Sequence, residues 1–156
     1  MGLLDRANAI RNAKDAAAAA QERAYIDRYT ESYRTILKWI TELAAEFAQA
    51  ARKRRLPTTR LGSYDLGGWH IQIDGEWYSG DHSGGWTRQV GVIVLPGGRW
   101  EWQSDPGIHD RKRPNLKRPD PRDAPGNLTQ VLDRMIERGD SEVHEWLTSK
   151  FVSPLV

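Results

Sequence analysis

The sequence from residue 26 to residue 57, IDRYTESYRTILKWITELAAEFAQAARKRRLP, constrains the fold of this chain more than any other stretch. Good helix-forming residues dominate it, and its large apolar side chains recur at intervals of three and four, as on the buried face of an amphipathic helix. The apolar positions of this face are Ile26, Tyr29, Tyr33, Ile36, Ile40, Leu43, Phe47 and Ala50. Pro57 ends the pattern, because the residue before a proline avoids the helical conformation. We therefore predict a helix over residues 23–55 that packs one wide face on a sheet or on other helices.

The helical composition continues upstream, because no proline or glycine occurs between Leu3 and Arg55. Its apolar residues change position, however, and form a second, weaker stripe at Leu3, Ala7, Ile10, Ala13 and Ala17. An unbroken helix of this length would measure roughly 80 Å, whereas a compact chain of this size has a radius of gyration of about 15 Å. The helix must therefore bend, break or project. We expect a discontinuity near Ala16–Glu22, with residues 1–22 as a helical extension of one domain that covers residues 23–156.

Residues 58–104 change to a period of two, which is typical of half-buried strands. Asp74-Gly75 is the favoured dipeptide of a tight hairpin turn, and Pro96-Gly97-Gly98 predicts another turn. The segment Arg60–Leu66 is a candidate edge strand. The side chains expected to face the helix are Trp69, Ile71, Ile73, Val90, Val92, Val94, Trp100 and Trp102. This pattern predicts four or five antiparallel strands in chain order, with Ile93 on the opposite face.

The C-terminal third begins with a connection rich in proline and basic residues (104–126), which we expect to be extended and solvated. Two short helices follow, at residues 128–138 and 141–150. Asn127 and Asp140 are the expected N-caps, and Gly139 is the expected end of the first helix. A long helix, a meander and two short helices together predict an α+β fold.

The composition excludes several functional classes. The 156 residues contain no cysteine, so disulfide frameworks, cysteine-ligated zinc and cysteine nucleophiles are excluded. No apolar run approaches the ~18 residues that a membrane span needs, and the N-terminus lacks the apolar core of a signal peptide. We expect a cytoplasmic protein without a membrane partner, a metal site or a cofactor.

Two basic clusters, combined with aromatic residues, indicate one possible binding function. The clusters consist of Arg52, Lys53, Arg54 and Arg55, and of Arg111, Lys112, Arg113, Lys117, Arg118 and Arg122. If they converge on one surface, they would neutralise phosphates while Tyr64, Trp77, Tyr78 or Trp86 stack on unpaired bases. Cations at a helix C-terminus are also favourable for purely electrostatic reasons. Nucleic acid is therefore an alternative partner.

A hydrolase is a second alternative. The loop Gly80–Gly85 contains His82 between an acid and a hydroxyl, and His109 lies beside acidic and basic residues. Neighbouring side chains of one loop diverge, however, so general acid–base geometry is hard to achieve there. The leading interpretation is a non-enzymatic interaction or assembly protein, whose N-terminal helix binds a protein partner or a second copy of the chain.

Overall fold

The computed structural model describes residues 2–80, 84–104, 111–125 and 128–156, without the side chains of residues 74–80, 84–89 and 104. It is an α+β structure in the predicted order of elements. Helix α1 spans Leu3–Lys53. The chain leaves it through Arg55, which has a left-handed φ of 54°, and the amide of Leu56 donates to the carbonyl of Ala51 at 2.8 Å. Pro57 follows, so the predicted stop is confirmed.

The expected discontinuity at Ala16–Glu22 is absent, because α1 remains helical through these residues. Alanine has the highest helix propensity of any residue type. The run of five alanines, Ala16–Ala20, therefore favours an uninterrupted helix. The change of apolar stripe therefore marks where the helix leaves the body of the protein, and the helix itself continues.

The main sheet has four antiparallel strands in chain order: β3 (Trp69–Gly80), β4 (Gly84–Val94), β5 (Trp100–Ser104) and β6 (Arg111–Lys112). The turn at Pro96-Gly97-Gly98 is confirmed, with the amide of Leu95 donating to the carbonyl of Arg99 at 2.7 Å. The predicted turn at Asp74-Gly75 is wrong, because both residues lie within β3 and pair with Val90 and Gln89. The register of the β3–β4 pairing shifts between Gln72 and Asp74, as at a β-bulge, and the two strands remain paired beyond this shift.

The segment predicted as an edge strand, Arg60–Leu66, forms a separate small hairpin of β1 (Arg60–Leu61) and β2 (Tyr64–Asp65). The edge strands of the main sheet are β3 and β6, and β6 comes from the connection that is expected to be solvated. Leu66 and Ile93 are both buried, and a Cβ built on Gly68 would lie 2.9 Å from the Ile93 side chain. The chain after β2 therefore covers the outer face of the sheet at Ile93.

The core lies between the inner face of the sheet, α1 and the two C-terminal helices, α2 (Leu128–Arg138) and α3 (Asp140–Val152). All eight sheet residues that were predicted to face the helix are buried. Phe47 of α1 connects the layers, since its ring centroid lies 5.9 Å from that of Trp69 and 6.3 Å from that of Phe151. Both pairs have the edge-to-face geometry that aromatic rings prefer.

Gly139 ends α2 with a φ of 92°, as predicted. The same residue is the N-cap of α3, so Asp140 is the first residue of that helix and the prediction that Asp140 caps it is wrong. Its carboxylate still lies where the positive end of the helix dipole favours it. The predicted cap Asn127 lies outside the described residues.

Candidate interaction surfaces

The N-terminal arm (residues 3–24) is a continuous, exposed helical segment. Every arm residue except the partly covered Ala19 is exposed, including Leu3 at 85%, Leu4 at 73% and Ile10 at 60%. At 1.5 Å per residue the arm extends roughly 33 Å. Leu3 and Ile10 lie on the same side of the helix, about two turns apart, whereas Leu4 lies on another side. Exposed apolar side chains that share one side form a surface that another surface can cover.

The apolar stripe of the arm does not continue the face that packs in the core. At 100° per residue, the stripe from Leu3 to Ala17 is centred roughly 130° around α1 from the core face of Tyr33 to Ala51. The core face projected into the arm meets polar residues such as Glu22, Asp15 and Asn12. The exposed stripe of the arm therefore lies on a different side of α1 from the face that contacts the sheet.

A groove of about 890 Å³ lies where the arm meets the body. One wall is α1, with Tyr25, Ile26, Tyr29, Thr30 and Arg34; the other is the segment Lys117–Arg122, with Thr129 of α2. The two tyrosine rings lie 6.1 Å apart, and the Tyr25 hydroxyl donates to the carboxylate of Asp133 at 3.1 Å. The groove thus combines aromatic surface with four basic side chains.

The charges in the groove are arranged unevenly. Arg122 pairs with Asp120 at 2.7 Å, and this hydrogen bond lowers the pKa of the Asp120 carboxyl. Lys117 and Arg118 are exposed, while the Asn115 side chain accepts from their backbone amides and shapes the turn. Burial raises the pKa of Tyr29 to about 12, so this ring is neutral at physiological pH. The groove therefore offers neutral rings and guanidinium or ammonium groups.

The structure places the first basic cluster elsewhere. Arg52, Lys53, Arg54 and Arg55 are exposed at the far end of α1, where the Arg54 guanidinium donates to the carbonyl of Leu155. Arg34 and Arg52 are 18 residues apart on one helix, a separation of roughly 27 Å. Residues 52–55 consequently lie well away from the groove that contains Lys117 and Arg118.

The second cluster is divided as well. Arg111 lies in β6, where its guanidinium donates to Glu101 at 3.0 Å and to the carbonyl of Leu66 at 2.8 Å. It therefore holds the sheet edge to the covering segment, while Lys112 and Arg113 are exposed. Arg111, Lys112 and Arg113 are grouped with Lys117 and Arg118 by proximity along the chain alone.

Most of the remaining predicted candidates fall in the undescribed parts of the chain. His82 and His109 lie outside the described residues, as do the side chains of Trp77, Tyr78 and Trp86. Tyr64 lies in β2 and is 46% exposed. Within the described ranges, no group of three or more His, Cys, Asp or Glu side chains is placed to hold a metal ion, and no helix combines the length and apolarity of a membrane span.

Sequence reasoning missed the groove, because its walls are separated by about ninety residues in the chain. The available signal was the pair Tyr25 and Tyr29, which are one helical turn apart and extend beyond the core face. Comparison with family models, curated proteins and solved structures gave no match to this chain. The arm and the groove are therefore the features from which function can be inferred.

Proposed function

We propose that this protein is an assembly component that binds a protein partner through its N-terminal arm. The Tyr25 hydroxyl forms a hydrogen bond with Asp133 of α2, and α1 extends for 22 residues before Tyr25. The supporting observation is that Leu3, Leu4 and Ile10 of this extension are exposed. Burying one such side chain stabilises a complex by about 1.5–3 kcal/mol. The arm offers this gain to a partner without disturbing the core.

The test is deletion of residues 2–22, with mass measured by sedimentation velocity and partner capture measured from a lysate. We expect the truncated protein to keep its near-UV spectrum and to change its unfolding free energy by less than about 0.5 kcal/mol, since surface changes seldom cost more. It should lose higher-mass species or captured proteins. A truncated protein with unchanged mass and unchanged captured proteins would refute the proposal.

A point variant separates the apolar stripe from the helix itself. Leu3→Gln with Ile10→Gln keeps a helix-forming composition and removes the large apolar contacts. The matched control is Asn8→Gln with Asn12→Gln, which lies on the polar side of the arm. We expect the first pair to reduce association and the second to leave it unchanged.

A second candidate function is contact with single-stranded nucleic acid in the groove. The observation that favours it is the placement of Tyr25 and Tyr29 opposite Lys117 and Arg118 across a single concave surface. Aromatic rings stack on bases of any sequence, and cations release counterions from phosphates. This arrangement differs from the surface predicted from sequence, in which residues 52–55 and 111–122 flank one surface with aromatic residues of the sheet.

Titration of a labelled single-stranded oligonucleotide at several salt concentrations distinguishes binding in the groove from binding at residues 52–55. Lys117→Gln with Arg118→Gln should weaken binding and reduce the slope of log affinity against log salt by about 1.4, because each neutralised phosphate of a single strand adds about 0.7. Arg52→Gln with Lys53→Gln is the control with the same change in charge. Equal losses of affinity in both variants would show a diffuse electrostatic effect, and no binding at low salt would refute the candidate.

A further inference from the structure

A seam drawn at coiled-coil spacing along α1 from Leu3 to Arg28, with large apolar residues at Leu3 and Ile10, defines one way in which a second helix can pack on the arm. Starting from Leu3 and stepping by four and three, the seam positions are Leu3, Ala7, Ile10, Lys14, Ala17, Gln21, Ala24 and Arg28. Such steps keep one line of residues facing a partner helix. The seam contains two cations, Lys14 and Arg28, so the partner must accommodate charge at these layers.

A second copy in parallel orientation does not accommodate it. In a parallel pair each seam residue faces its own equivalent, so Lys14 would meet Lys14 and Arg28 would meet Arg28. The flanking positions add another repulsion, because Arg6 of one helix would face Arg11 of the other. Like charges at these positions select against an orientation.

A second copy in antiparallel orientation separates the Arg28 pair and the Arg6–Arg11 pair, and moves the two Lys14 side chains from the same layer into adjacent layers, roughly 4.5 Å apart along the axis. With the pair centred between Lys14 and Ala17, the seam layers become Leu3 with Arg28, Ala7 with Ala24, Ile10 with Gln21, and Lys14 with Ala17. At the flanks, Arg6 then faces Asp27 of the other copy, and Leu4 faces Tyr25. Each contact occurs twice because the pair is symmetric.

We propose that two copies of this chain pair through antiparallel arms to form a two-fold dimer. This inference rests on the proposed assembly function and specifies its partner. The seam alanines, Ala7, Ala17 and Ala24, let the two helices approach closely, and Leu3 of one arm packs beside Arg28, at the edge of the other body. Alanine buries little area, so the dimer is reversible and forms more fully as the protein concentration rises.

The absence of cysteine makes the orientation directly testable. Ala7→Cys and Ala24→Cys are prepared separately, one of them with a C-terminal affinity tag, and are oxidised mildly alone and as a mixture. The antiparallel pair predicts a covalent species that contains one copy of each variant, and little covalent dimer in either variant alone. Asn12→Cys, on the outer side of the same helix, is the control for random collision and should give neither species.

A charge exchange tests the register by a second route. Arg6→Asp places two carboxylates opposite each other at both flanks and should weaken the dimer roughly tenfold in sedimentation velocity, since exposed ion pairs are individually small. The double variant Arg6→Asp with Asp27→Arg restores opposite charges and should recover the dimer.

Each contrary result is distinguishable from failure of the proposed function. Covalent dimers of Ala7→Cys alone would establish a parallel pair and overturn the antiparallel inference. A full-length protein that stays monomeric at all accessible concentrations, but captures another protein through the arm, would overturn self-pairing and leave the assembly function standing. Arm deletion that changes neither the mass nor the set of captured proteins would overturn both.

Discussion

Substitution of Gly91 by alanine gives the sharpest test of how the sheet is packed. Gly91 is buried in β4, beneath a hydrogen bond of 3.0 Å between His70 Nε2 and Gln103 Oε1. A Cβ at this position would lie 2.7 Å from His70 Nε2, 3.0 Å from Gln103 Oε1 and 3.1 Å from the carbonyl oxygen of Ile71. All three contacts are closer than side-chain carbons normally approach.

Two effects of opposite sign determine the magnitude. Alanine in place of glycine in a strand favours folding by about 0.5–1 kcal/mol, because the unfolded chain loses freedom. Overpacking costs about 1–3 kcal/mol, and displacing the imidazole also removes a hydrogen bond that contributes about 1 kcal/mol. We expect Gly91→Ala to lower the free energy of unfolding by about 1–3.5 kcal/mol in all, because the overpacking and hydrogen-bond costs outweigh the gain.

Urea denaturation followed by the fluorescence of the seven tryptophans measures this change. Gly97→Ala is the matched control, since no atom lies within 4 Å of its Cβ position. It should raise the free energy of unfolding by about 0.4–1 kcal/mol, because it keeps the gain from the unfolded chain and adds no overpacking. In a His70→Ala background the imidazole no longer opposes the new Cβ, so the cost of Gly91→Ala should fall. An unchanged cost in that background, or no cost at all, would refute the reasoning.

Three further predictions test other parts of the molecule. Phe47→Ala should lower the free energy of unfolding by about 3–5 kcal/mol in urea denaturation, because it removes the ring that joins α1 to Trp69. Arg111→Ala should cost about 1–3 kcal/mol by leaving Glu101 without its partner, whereas Lys112→Ala should cost less than about 0.5 kcal/mol. The pKa of Tyr29 is raised to about 12 in the folded protein. The neutral Tyr29 ring therefore contributes fully to the free energy of unfolding below pH 10, and this contribution decreases as the pH rises through 12. In urea denaturation, Tyr29→Phe should make the free energy of unfolding vary less with pH between pH 10 and 12.

Much of the fold was predictable from apolar patterns that repeat many times along one helix or strand. The three- and four-residue spacing from Tyr33 to Phe47 identified the core face of α1, and Pro57 identified its end. The alternation around Val92 identified the central strand and its buried face. These signals succeed because burial of one face is repeated many times within a single element.

Short signals were less reliable, because tertiary pairing overrides them. Asp74-Gly75 favours a turn locally, but the pairing of the following residues with β4 holds it inside a strand. Strand β6 contains only two residues, Arg111 and Lys112, which is too few to show any alternation. The groove depends on the approach of α1 to the segment around Arg118, and no local pattern encodes such an approach.

The continuity of α1 relates the two proposed surfaces to each other. The arm seam and the groove wall at Tyr29 lie on one unbroken helix, so pairing of the arms also fixes the distance between two grooves. In the proposed dimer the symmetry centre would lie between Lys14 and Ala17, about 13 residues from Tyr29 in each copy, which would place the two groove walls roughly 40 Å apart along the helices. A short oligonucleotide would therefore occupy one groove regardless of assembly, whereas only a longer strand would gain avidity from the dimer. If both surfaces act in one assembly, the full chain should bind long oligonucleotides more tightly than short ones. After removal of the arm, the affinity should no longer depend on the length of the oligonucleotide.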